Sequence, residues 1–448
     1  MIFLHSKKRT GSQTVRFGIK RAACFLLIMA LLSQVAMQIG CQEQSPTTKP
    51  NASTGMTADT QQTSGSQTSG MTSASGMTTG TAPPTSGNSD TSGTSATSQE
   101  TQAPVSDGVK YSHEFIGSFD TLIQLIGYAP DKATFDQWSQ MAEAAYRELH
   151  QLFDAYHTYD GINNIKTIND KAGLSPVIVD QRVIDLLDQT SRWRSELSES
   201  VDLTLGPVVA VWAEYREKAL AKPELATPPT EERLATALLL SGAGDVQIDP
   251  QNRTVFLTRG GMRLDVGAVA KGYATEQVAK LLMASGVTSM IINAGGSSVR
   301  LIGKPGTPDR SSWNIAIQNP EVLLPSPDYV PSKAEPTLTV IRTTDTSIVT
   351  SGDYQRFYHV DDQIFHHLIS PSDGMPVRHY RAVTVMAQDS GLADFLSTAL
   401  FLMPFEDSRA LVERLQGVEA MWVFAEGRVE MTPGLTAVAD PIADVWGS

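Results

Sequence analysis

Hydrophobic and polar residues change their pattern several times along this 448-residue chain, and regular patterns begin only near residue 108. Apolar residues that recur every three to four positions are typical of amphipathic helices, whereas short alternating or continuous apolar runs are typical of strands. The helical pattern predicts helices at 132–154, 183–197, 203–220, 231–241, 276–283 and 392–402. Pro207 lies near the start of the third helix, where proline is tolerated.

Strand patterns occupy other parts of the chain. They predict strands at 114–128, 246–248, 254–257, 262–264, 290–292, 313–317, 338–342, 347–350 and 382–387, with an exposed proline-rich loop at 321–336. The sequence Asp-Pro-Gln-Asn at 249–252 separates two of these strands and is typical of a hairpin turn. Because helices and antiparallel-type strands occur in separate runs, we predict an α+β fold with a largely antiparallel sheet.

The first 107 residues have a different character. Residues 1–40 contain six basic residues, no acidic residue and an apolar run that begins at Ala22, which is the pattern of a signal peptide. Residues 41–107 consist mainly of Ser, Thr, Gly, Gln, Pro and Ala without an apolar period, so we expect a disordered linker there. The folded domain is therefore expected at 108–448.

Cys41 ends the apolar segment, in the sequence Gln38-Ile39-Gly40-Cys41. This resembles a bacterial lipobox, in which a small residue precedes a cysteine that becomes lipidated, although Gln38 replaces the usual apolar residue. We expect a lipid at Cys41 that anchors an exported protein to the outer face of the bacterial cell membrane. The alternative is a secretory signal that is cut nearby.

The charge balance excludes one class of function. The formal net charge is −13, and loss of the six basic residues in 1–40 would make it −19. Proteins that bind nucleic acids need a basic surface, so we expect no nucleic-acid partner.

The segment 265–274, Asp-Val-Gly-Ala-Val-Ala-Lys-Gly-Tyr-Ala, combines a carboxylate, small residues and one lysine just before a predicted helix. Small residues let backbone N–H groups approach a phosphate, and the helix N-terminus favours negative charge. Asp265 and Lys271 are the candidate polar side chains for this site. The alternative is an ordinary strand-to-helix turn with a surface lysine.

Three other segments contain candidate functional groups. The turn at 293–298, Asn-Ala-Gly-Gly-Ser-Ser, offers several backbone donors but is also consistent with a plain tight turn. The adjacent His366 and His367 would point to opposite faces of a strand, so only one of them could serve as a general base. Asp394 and Thr398 share one helical face and offer the hard oxygen ligands that Mg²⁺ prefers, but a solvated Asp with a back-bonded Thr is the commoner arrangement.

Taken in order, these segments resemble the ApbE family, the FAD:protein FMN transferases. The matching segments are 202–207 (Asp-Leu-Thr-Leu-Gly-Pro), 265–274, 293–296 (Asn-Ala-Gly-Gly), 351–356 (Ser-Gly-Asp-Tyr-Gln-Arg), 367–376 (His-Leu-Ile-Ser-Pro through Gly-Met-Pro) and 393–399 (Ala-Asp-Phe-Leu-Ser-Thr-Ala). Four positions depart from the family pattern: Ser370 replaces an Asp, Phe119-Asp120 replaces Met-Gly, and Asn163 replaces a common serine.

The resemblance implies transfer of FMN from FAD to a Ser or Thr hydroxyl of a target protein, with release of AMP. It implies that Mg²⁺ is held by Asp394, Thr398 and the backbone carbonyl of Ala268, and that His367 accepts the hydroxyl proton, with His366 as the alternative. The residues that it implies for FAD binding are Phe119, Tyr159, Leu203, Thr204, Leu205, Asp265, Lys271 and Leu368.

The expected partners are therefore FAD and a target protein that carries the flavin, expected to be a subunit of an electron-transport complex. Two alternatives remain open from the sequence. In the first, water replaces the target hydroxyl and the protein is an FAD pyrophosphatase. In the second, the chain is a non-catalytic flavin-binding lipoprotein.

Overall fold

The computed structural model describes residues 108–323 and 334–443. The predicted signal peptide, Cys41, the linker and the middle of the predicted loop at 321–336 lie outside these residues. All elements described below belong to one compact unit, Val105–Ser448. No helix among the described residues is long and apolar enough to cross a membrane.

The strands, in chain order, are β1 (Val109–Ser118), β2 (Thr121–Ala129), β3 (Val177–Ile178), β4 (Val246–Asp249), β5 (Thr254–Leu257), β6 (Met290–Ala294), β7 (Ser298–Ile302), β8 (Trp313–Gln318), β9 (Thr337–Thr343), β10 (Ser347–Gly352), β11 (Tyr358–Val360), β12 (Gln363–Phe365), β13 (Tyr380–Ala387), β14 (Glu419–Phe424) and β15 (Val429–Met431).

The α-helices are α1 (Lys132–Phe153), α2 (Ile165–Asp170), α3 (Gln181–Glu196), α4 (Gly206–Ala221), α5 (Glu231–Leu238), α6 (Ala270–Ala284), α7 (Pro320–Leu323), α8 (Ser390–Leu402), α9 (Phe405–Arg414) and α10 (Pro433–Thr436). Short 3₁₀ turns are present at Pro223–Leu225 and Ala243–Asp245.

An eight-stranded sheet in the order β1-β2-β6-β7-β10-β13-β14-β15 forms the centre of the fold. Its neighbouring strands pair antiparallel throughout. Three small sheets, β3-β5-β4, β8-β9 and β11-β12, lie outside it. The predicted α+β fold with a largely antiparallel sheet is therefore confirmed.

Several predicted boundaries were wrong. The predicted strand at 114–128 is a hairpin, because Phe119 (φ 54°) and Asp120 (φ 51°) form a left-handed two-residue turn between β1 and β2. Apolar residues continue on both sides of this turn, so the sequence pattern of 114–128 does not reveal that two strands are present. The segment 262–264 makes only one bridge, between Arg263 and Leu205, and is not a strand.

The helices also differ in detail from the prediction. The helix predicted at 276–283 begins earlier, at Ala270, and the one predicted from 203 begins at Gly206 with Pro207 in its first turn. The short helix α2 was missed; Asn164 caps it through a reciprocal hydrogen-bond pair with Thr167. The first predicted helix agrees with α1 to within one residue.

Helices α6 and α8 lie together on the sheet. Helix α8 packs against β10, β13 and α6, while α6 also contacts α1 and β7. Helix α8 is apolar on nearly all sides, and Phe395 and Phe401 are completely buried, with the ring of Phe401 5.9 Å from that of Tyr380 in the sheet. A helix that is hydrophobic all round belongs in the core, so α8 is the central helix of the domain.

Gly272 allows α6 and α8 to touch. A Cβ atom at Gly272 would lie 2.4 Å from both Asp394 Cβ and the Ser390 carbonyl oxygen. With no side chain in the way, the Gly272 N–H donates a 2.7 Å hydrogen bond to Asp394 Oδ2. The glycine therefore determines both the helix spacing and the position of a buried carboxylate.

His366 belongs to the core. Its ring is 4% exposed and meets the edge of Phe401. Nε2 donates to the Val377 carbonyl (2.8 Å), and Nδ1 accepts the Leu368 N–H (3.2 Å). Burial lowers the pKa of His366 to about 4, although the hydrogen bond to the Val377 carbonyl acts in the opposite direction.

We predict that Gly272→Ala destabilises the domain by about 1–3 kcal/mol, because the added methyl overlaps Asp394 and Ser390. Denaturant unfolding would measure the loss. Gly244→Ala is the control, since a Cβ there meets no atom within 4 Å. Equal effects of the two substitutions would contradict the tight helix contact.

We also predict an acid-dependent loss of stability from His366. Its folded pKa lies below the unfolded value near 6.5, so the unfolded state binds the proton more tightly. The contribution is complete above pH 6.5 and is lost as the pH falls towards about 4. Between pH 6.5 and about 4, the unfolding free energy of the unsubstituted chain should therefore fall by roughly 2–3 kcal/mol more than that of His366→Gln. Identical slopes in chemical denaturation would show that His366 makes no such contribution.

Candidate active site

A cavity of ≈ 320 Å³ opens beside α6 and α8. Its walls come from the β1–β2 turn, the loop after α1, the loop before α4, the 265–271 segment, the end of β10, the residues after β12 and helix α8. Ten of the twelve residues predicted to form the site line it, namely Phe119, Leu203, Leu205, Asp265, Ala268, Lys271, His367, Leu368, Asp394 and Thr398. The fold thus brings together residues that are far apart in the sequence.

Lys271 and Asp394 form the charged floor of this cavity. Asp394 is 7% exposed, and burial raises its pKa to about 6 even though the positive charge of Lys271 opposes that shift. Burial lowers the pKa of Lys271, and Asp394 acts in the opposite direction. The ammonium group of Lys271 also donates to Ser297 Oγ. The alternatives of a surface lysine and a solvated Asp do not describe this structure.

The segment that begins at Asp265 is a turn held by its own side chain. Asp265 N–H donates to the Leu203 carbonyl (2.8 Å), and Asp265 Oδ1 accepts the Gly267 N–H (2.8 Å). Its Oδ2 accepts a 3.3 Å hydrogen bond from the Tyr156 hydroxyl. The carboxylate of Asp265 and then burial raise the pKa of Tyr156 to about 12, so this hydroxyl keeps its proton. Asp265 therefore joins the α4, α6 and α1 sides of the cavity.

A divalent cation fits the oxygen groups on the α8 side. Asp394 uses one carboxylate oxygen for the Gly272 N–H, and Thr398 Oγ1 lies 3.4 Å from Ser351 Oγ. Carboxylate, hydroxyl and backbone carbonyl oxygens form the type of donor set that Mg²⁺ takes together with substrate phosphate. No group of three His, Cys, Asp or Glu side chains suited to a metal occurs within residues 108–323 and 334–443. Asp394 would therefore be the single carboxylate ligand.

His367 has one ring nitrogen committed and one available. Its Nδ1 lies 2.8 Å from the Gln355 carbonyl oxygen, which can only accept, so Nδ1 carries the hydrogen and Nε2 is the acceptor. Burial and then the charge of Arg356 lower the pKa of His367 to about 3. Since both nitrogens of His366 are engaged in the core, it is His367 rather than His366 that presents a free basic nitrogen to the cavity.

Two of the predicted residues lie behind the wall rather than in it. The Tyr159 hydroxyl donates to Asp154 Oδ2 (2.8 Å). Thr204 is 2% exposed; its N–H and hydroxyl both donate to Asp202 Oδ1, and its hydroxyl oxygen accepts the Gly242 N–H. These side chains hold neighbouring loops, and in the loop before α4 it is Leu203 and Leu205 that reach the cavity.

Asp154, directly after α1, is a functional residue that the sequence prediction missed. Burial would raise its pKa, but hydrogen bonds from Tyr156, Tyr159 and His157 outweigh that effect and lower it. Its carboxylate accepts the backbone N–H groups of Tyr156 and His157. The sequence signal that could have identified it is its position, an Asp directly after a long amphipathic helix.

Arg216 and Arg356 also line the cavity and were given no role from the sequence. Arg356 is left-handed (φ 46°), which is rare for a residue with a side chain, and its guanidinium lies 4.0 Å from Asp120 across the cavity. Arg216 is on α4 and donates from Nη1 to the Arg356 carbonyl (3.4 Å). Arg356 belongs to the 351–356 segment that matches the family pattern, but nothing in the sequence around Arg216 distinguishes it from a surface arginine.

The 293–298 segment lies outside the cavity wall. Asn293 Oδ1 accepts the Gly296 N–H (2.9 Å), and Gly295 (φ 71°) and Gly296 (φ 73°) make a left-handed turn between β6 and β7. A Cβ at Gly295 would lie 1.9 Å from Thr121 Oγ1. This is the tight turn that the sequence allowed as an alternative, although Ser297 reaches Lys271 from it.

Comparison with known proteins gives consistent matches. The model of the ApbE family matches residues 118–422. A FAD:protein FMN transferase from Treponema pallidum (strain Nichols) is 30% identical over 282 residues, covering 60% of this chain and 73% of the relative. One from Klebsiella pneumoniae (strain 342) is 28% identical over 288 residues, covering 63% and 82%.

Solved structures agree in fold. The ApbE protein of Thermotoga maritima superposes with a TM-score of 0.62 at 24% identity and covers 74% of this chain and 99% of its own. The apo form of the Pseudomonas stutzeri flavinyl transferase ApbE gives 0.59 at 23% identity, with 76% and 98% covered. With the family model matching well over half of its residues, this chain belongs to the ApbE family.

Proposed function

We propose that this enzyme transfers FMN from FAD to a Ser or Thr hydroxyl of a target protein, with Mg²⁺ present, and releases AMP. One observation carries the proposal. A single cavity combines a buried Asp394–Lys271 pair with a histidine whose Nε2 is free to accept a proton. The names of the relatives support the same chemistry for the family.

The reaction balances without any oxidant or reductant. The hydroxyl oxygen of the target forms a bond to the phosphorus of the FMN half, and the bond from that phosphorus to the bridging oxygen breaks. The bridging oxygen leaves with the electron pair as part of AMP. The hydroxyl proton goes to Nε2 of His367, which the Gln355 carbonyl holds in the required tautomer.

The chain's other groups position the dinucleotide. Lys271 offers a positive charge to the pyrophosphate, and its contact with Ser297 fixes the direction of the ammonium group. Asp394, Thr398 and the Ala268 carbonyl are the groups that would hold Mg²⁺. When bound, the cation neutralises the negative charge that develops on the leaving phosphate. Phe119, Leu203, Leu205 and Leu368 supply apolar surface for the flavin.

His367 is favoured over His366 as the base because of their hydrogen bonds. Proton transfer needs a nitrogen lone pair that faces the substrate, and His366 uses its lone pair for the Leu368 N–H. The FAD pyrophosphatase alternative would use the same groups with water as the nucleophile. A non-catalytic binder would have no need for the buried carboxylate of Asp394, because burying a charge is costly even when an opposite charge such as that of Lys271 lies nearby.

The N-terminal sequence suggests where the enzyme acts. We propose export and lipid anchoring at Cys41, with the linker at 41–107 holding the catalytic domain away from the membrane. The target would then be an extracytoplasmic protein. The basic and apolar segments of residues 1–40, followed by Cys41, support this location.

We predict that Asp394→Ala abolishes metal-dependent transfer but leaves measurable FAD binding, because the metal ligand is lost and the flavin contacts remain. The full chain would be incubated with FAD, Mg²⁺ and a candidate target protein, and the target weighed by intact-mass spectrometry. The adduct expected is FMN minus water. Asp353→Asn is the matched control, since burial also raises the pKa of Asp353 to about 6 but it lies outside the cavity wall.

The outcomes of that experiment separate the three functions. A metal-dependent adduct that disappears in Asp394→Ala supports the transferase. Metal-dependent AMP and FMN without an adduct on any target would favour the pyrophosphatase. Intact bound FAD in every reaction would favour the binding protein, and unchanged transfer by Asp394→Ala would refute the metal assignment.

We predict that His367→Gln lowers the transfer rate by about 10²–10⁴-fold, the usual contribution of a general base, with FAD affinity nearly unchanged. Single-turnover transfer and flavin fluorescence would measure the two effects. His366→Gln, assayed at pH 7.5 where His366 is neutral, should retain most of the activity. The opposite ranking would identify His366 as the base.

A further inference from the structure

Arg216 and Arg356 form a group of positive charge that the mechanism above does not use. Both line the large cavity, and both also border a small cavity of ≈ 20 Å³ next to His367. They come from distant parts of the chain, α4 and the segment after β10. The contact between Arg216 Nη1 and the Arg356 carbonyl brings them together.

The pair is connected to His367 through the backbone. His367 Nδ1 donates to the carbonyl of Gln355, and Arg356 is the next residue, whose own carbonyl accepts from Arg216. The positive charge of Arg356 and, more weakly, that of Arg216 act on His367. The two guanidinium groups therefore lie on the side of the cavity where the target hydroxyl must lose its proton.

The positive charge of the pair is poorly compensated. Among the described residues, no carboxylate lies within 4.0 Å of Arg216, and Arg356 reaches only Asp120, at 4.0 Å and with a side chain that is 88% exposed. Burial and then the like charge of Arg356 lower the pKa of Arg216. Two positive charges that line the same cavity favour a bound anion there.

The other carboxylates of the cavity are already engaged. Asp154 accepts hydrogen bonds from its own loop, Asp265 from Gly267 and Tyr156, and Asp394 from Gly272. Asp202 accepts from Thr204. Lys271, by contrast with the arginines, has Asp394 beside it. The unbalanced positive charge of the cavity is thus concentrated at Arg216 and Arg356.

We propose that Arg216 and Arg356 clamp the phosphoryl group of the FMN half, the group being transferred, beside His367. This rests on the proposed function and adds a second anion site to the one at Lys271 and Asp394. Guanidinium groups suit the task because they offer several donors in a planar fork that matches phosphate oxygens. Donors at this position also stabilise charge on the phosphoryl oxygens during transfer.

The clamp has a consequence for His367. Without substrate, the two positive charges disfavour protonation of His367. An anionic phosphoryl group between the arginines offsets their charge and makes His367 a stronger base only when the substrate is in place. Water or hydroxyl groups in the empty site therefore meet a weak base.

The left-handed backbone of Arg356 supports its assignment to the phosphate clamp. Such a conformation is strained for a residue with a side chain and persists where surrounding contacts enforce it. Phe119 and Asp120, which face it across the cavity, are left-handed too.

The test compares two flavins that differ by the phosphate, FMN and riboflavin. Binding to the full chain would be measured by flavin fluorescence without divalent cation and without target protein, so that it does not depend on transfer. Arg216→Gln and Arg356→Gln should each weaken FMN binding by about tenfold and leave riboflavin binding within about twofold. Arg192→Gln, an exposed arginine on α3 that pairs with Asp188, is the control.

Lysine variants show whether a loss of binding in the Gln variants comes from the lost charge or from a folding defect. Arg216→Lys and Arg356→Lys keep the charge and should recover part of the preference for FMN over riboflavin. An equal loss of both flavins, or an unchanged preference in the Gln variants, would overturn the clamp. A rise in KM for the target protein with unchanged FMN preference would also overturn it, by assigning the arginines to the target.

The binding test is independent of the proposed function. If the chain binds FMN through the arginines but transfers nothing, the clamp stands and the transferase proposal fails. If transfer proceeds but the Gln variants keep their FMN preference, the clamp fails and the transferase proposal stands.

Discussion

The contact between α6 and α8 at Gly272 is the constraint on which the site depends. The absence of a side chain there lets the two helices meet and gives the Asp394 carboxylate a backbone hydrogen-bond donor inside the core. Lys271, the preceding residue, then lies close enough to offset the charge of Asp394. The same close packing that builds the core therefore creates a reactive, partly desolvated pair on the cavity floor.

The remaining groups of the cavity depend on loops that side chains hold in place. Asp265 supports the turn before α6, Asp154 supports the loop after α1, and Asp202 with Thr204 supports the loop before α4. Each uses a carboxylate to satisfy backbone N–H groups that would otherwise lack partners. This arrangement leaves one carboxylate oxygen of Asp394 and Nε2 of His367 available for the proposed chemistry, and it places excess positive charge at Arg216 and Arg356.

Local patterns predicted much of the fold and part of the site. The amphipathic period of α1 and the turn between β4 and β5 depend on neighbouring residues, and both were predicted within one or two positions. The β1–β2 turn was missed because Phe119, which begins it, is not typical of a left-handed turn. Arg216 was missed because its partner, the Arg356 carbonyl, lies 140 residues away.

By itself, the sequence determined the α+β class, the acidic balance and the ordered motifs that mark the family, since these depend on composition and local spacing. Only the tertiary structure decided which of two adjacent histidines keeps a free nitrogen, because the Val377 and Gln355 carbonyls come from other loops. It also decided that Asp394 is buried beside Lys271 and that Tyr159 and Thr204 lie behind the residues that line the cavity. Burial and long-range hydrogen bonds set the chemistry of these groups, and neither can be read from local sequence.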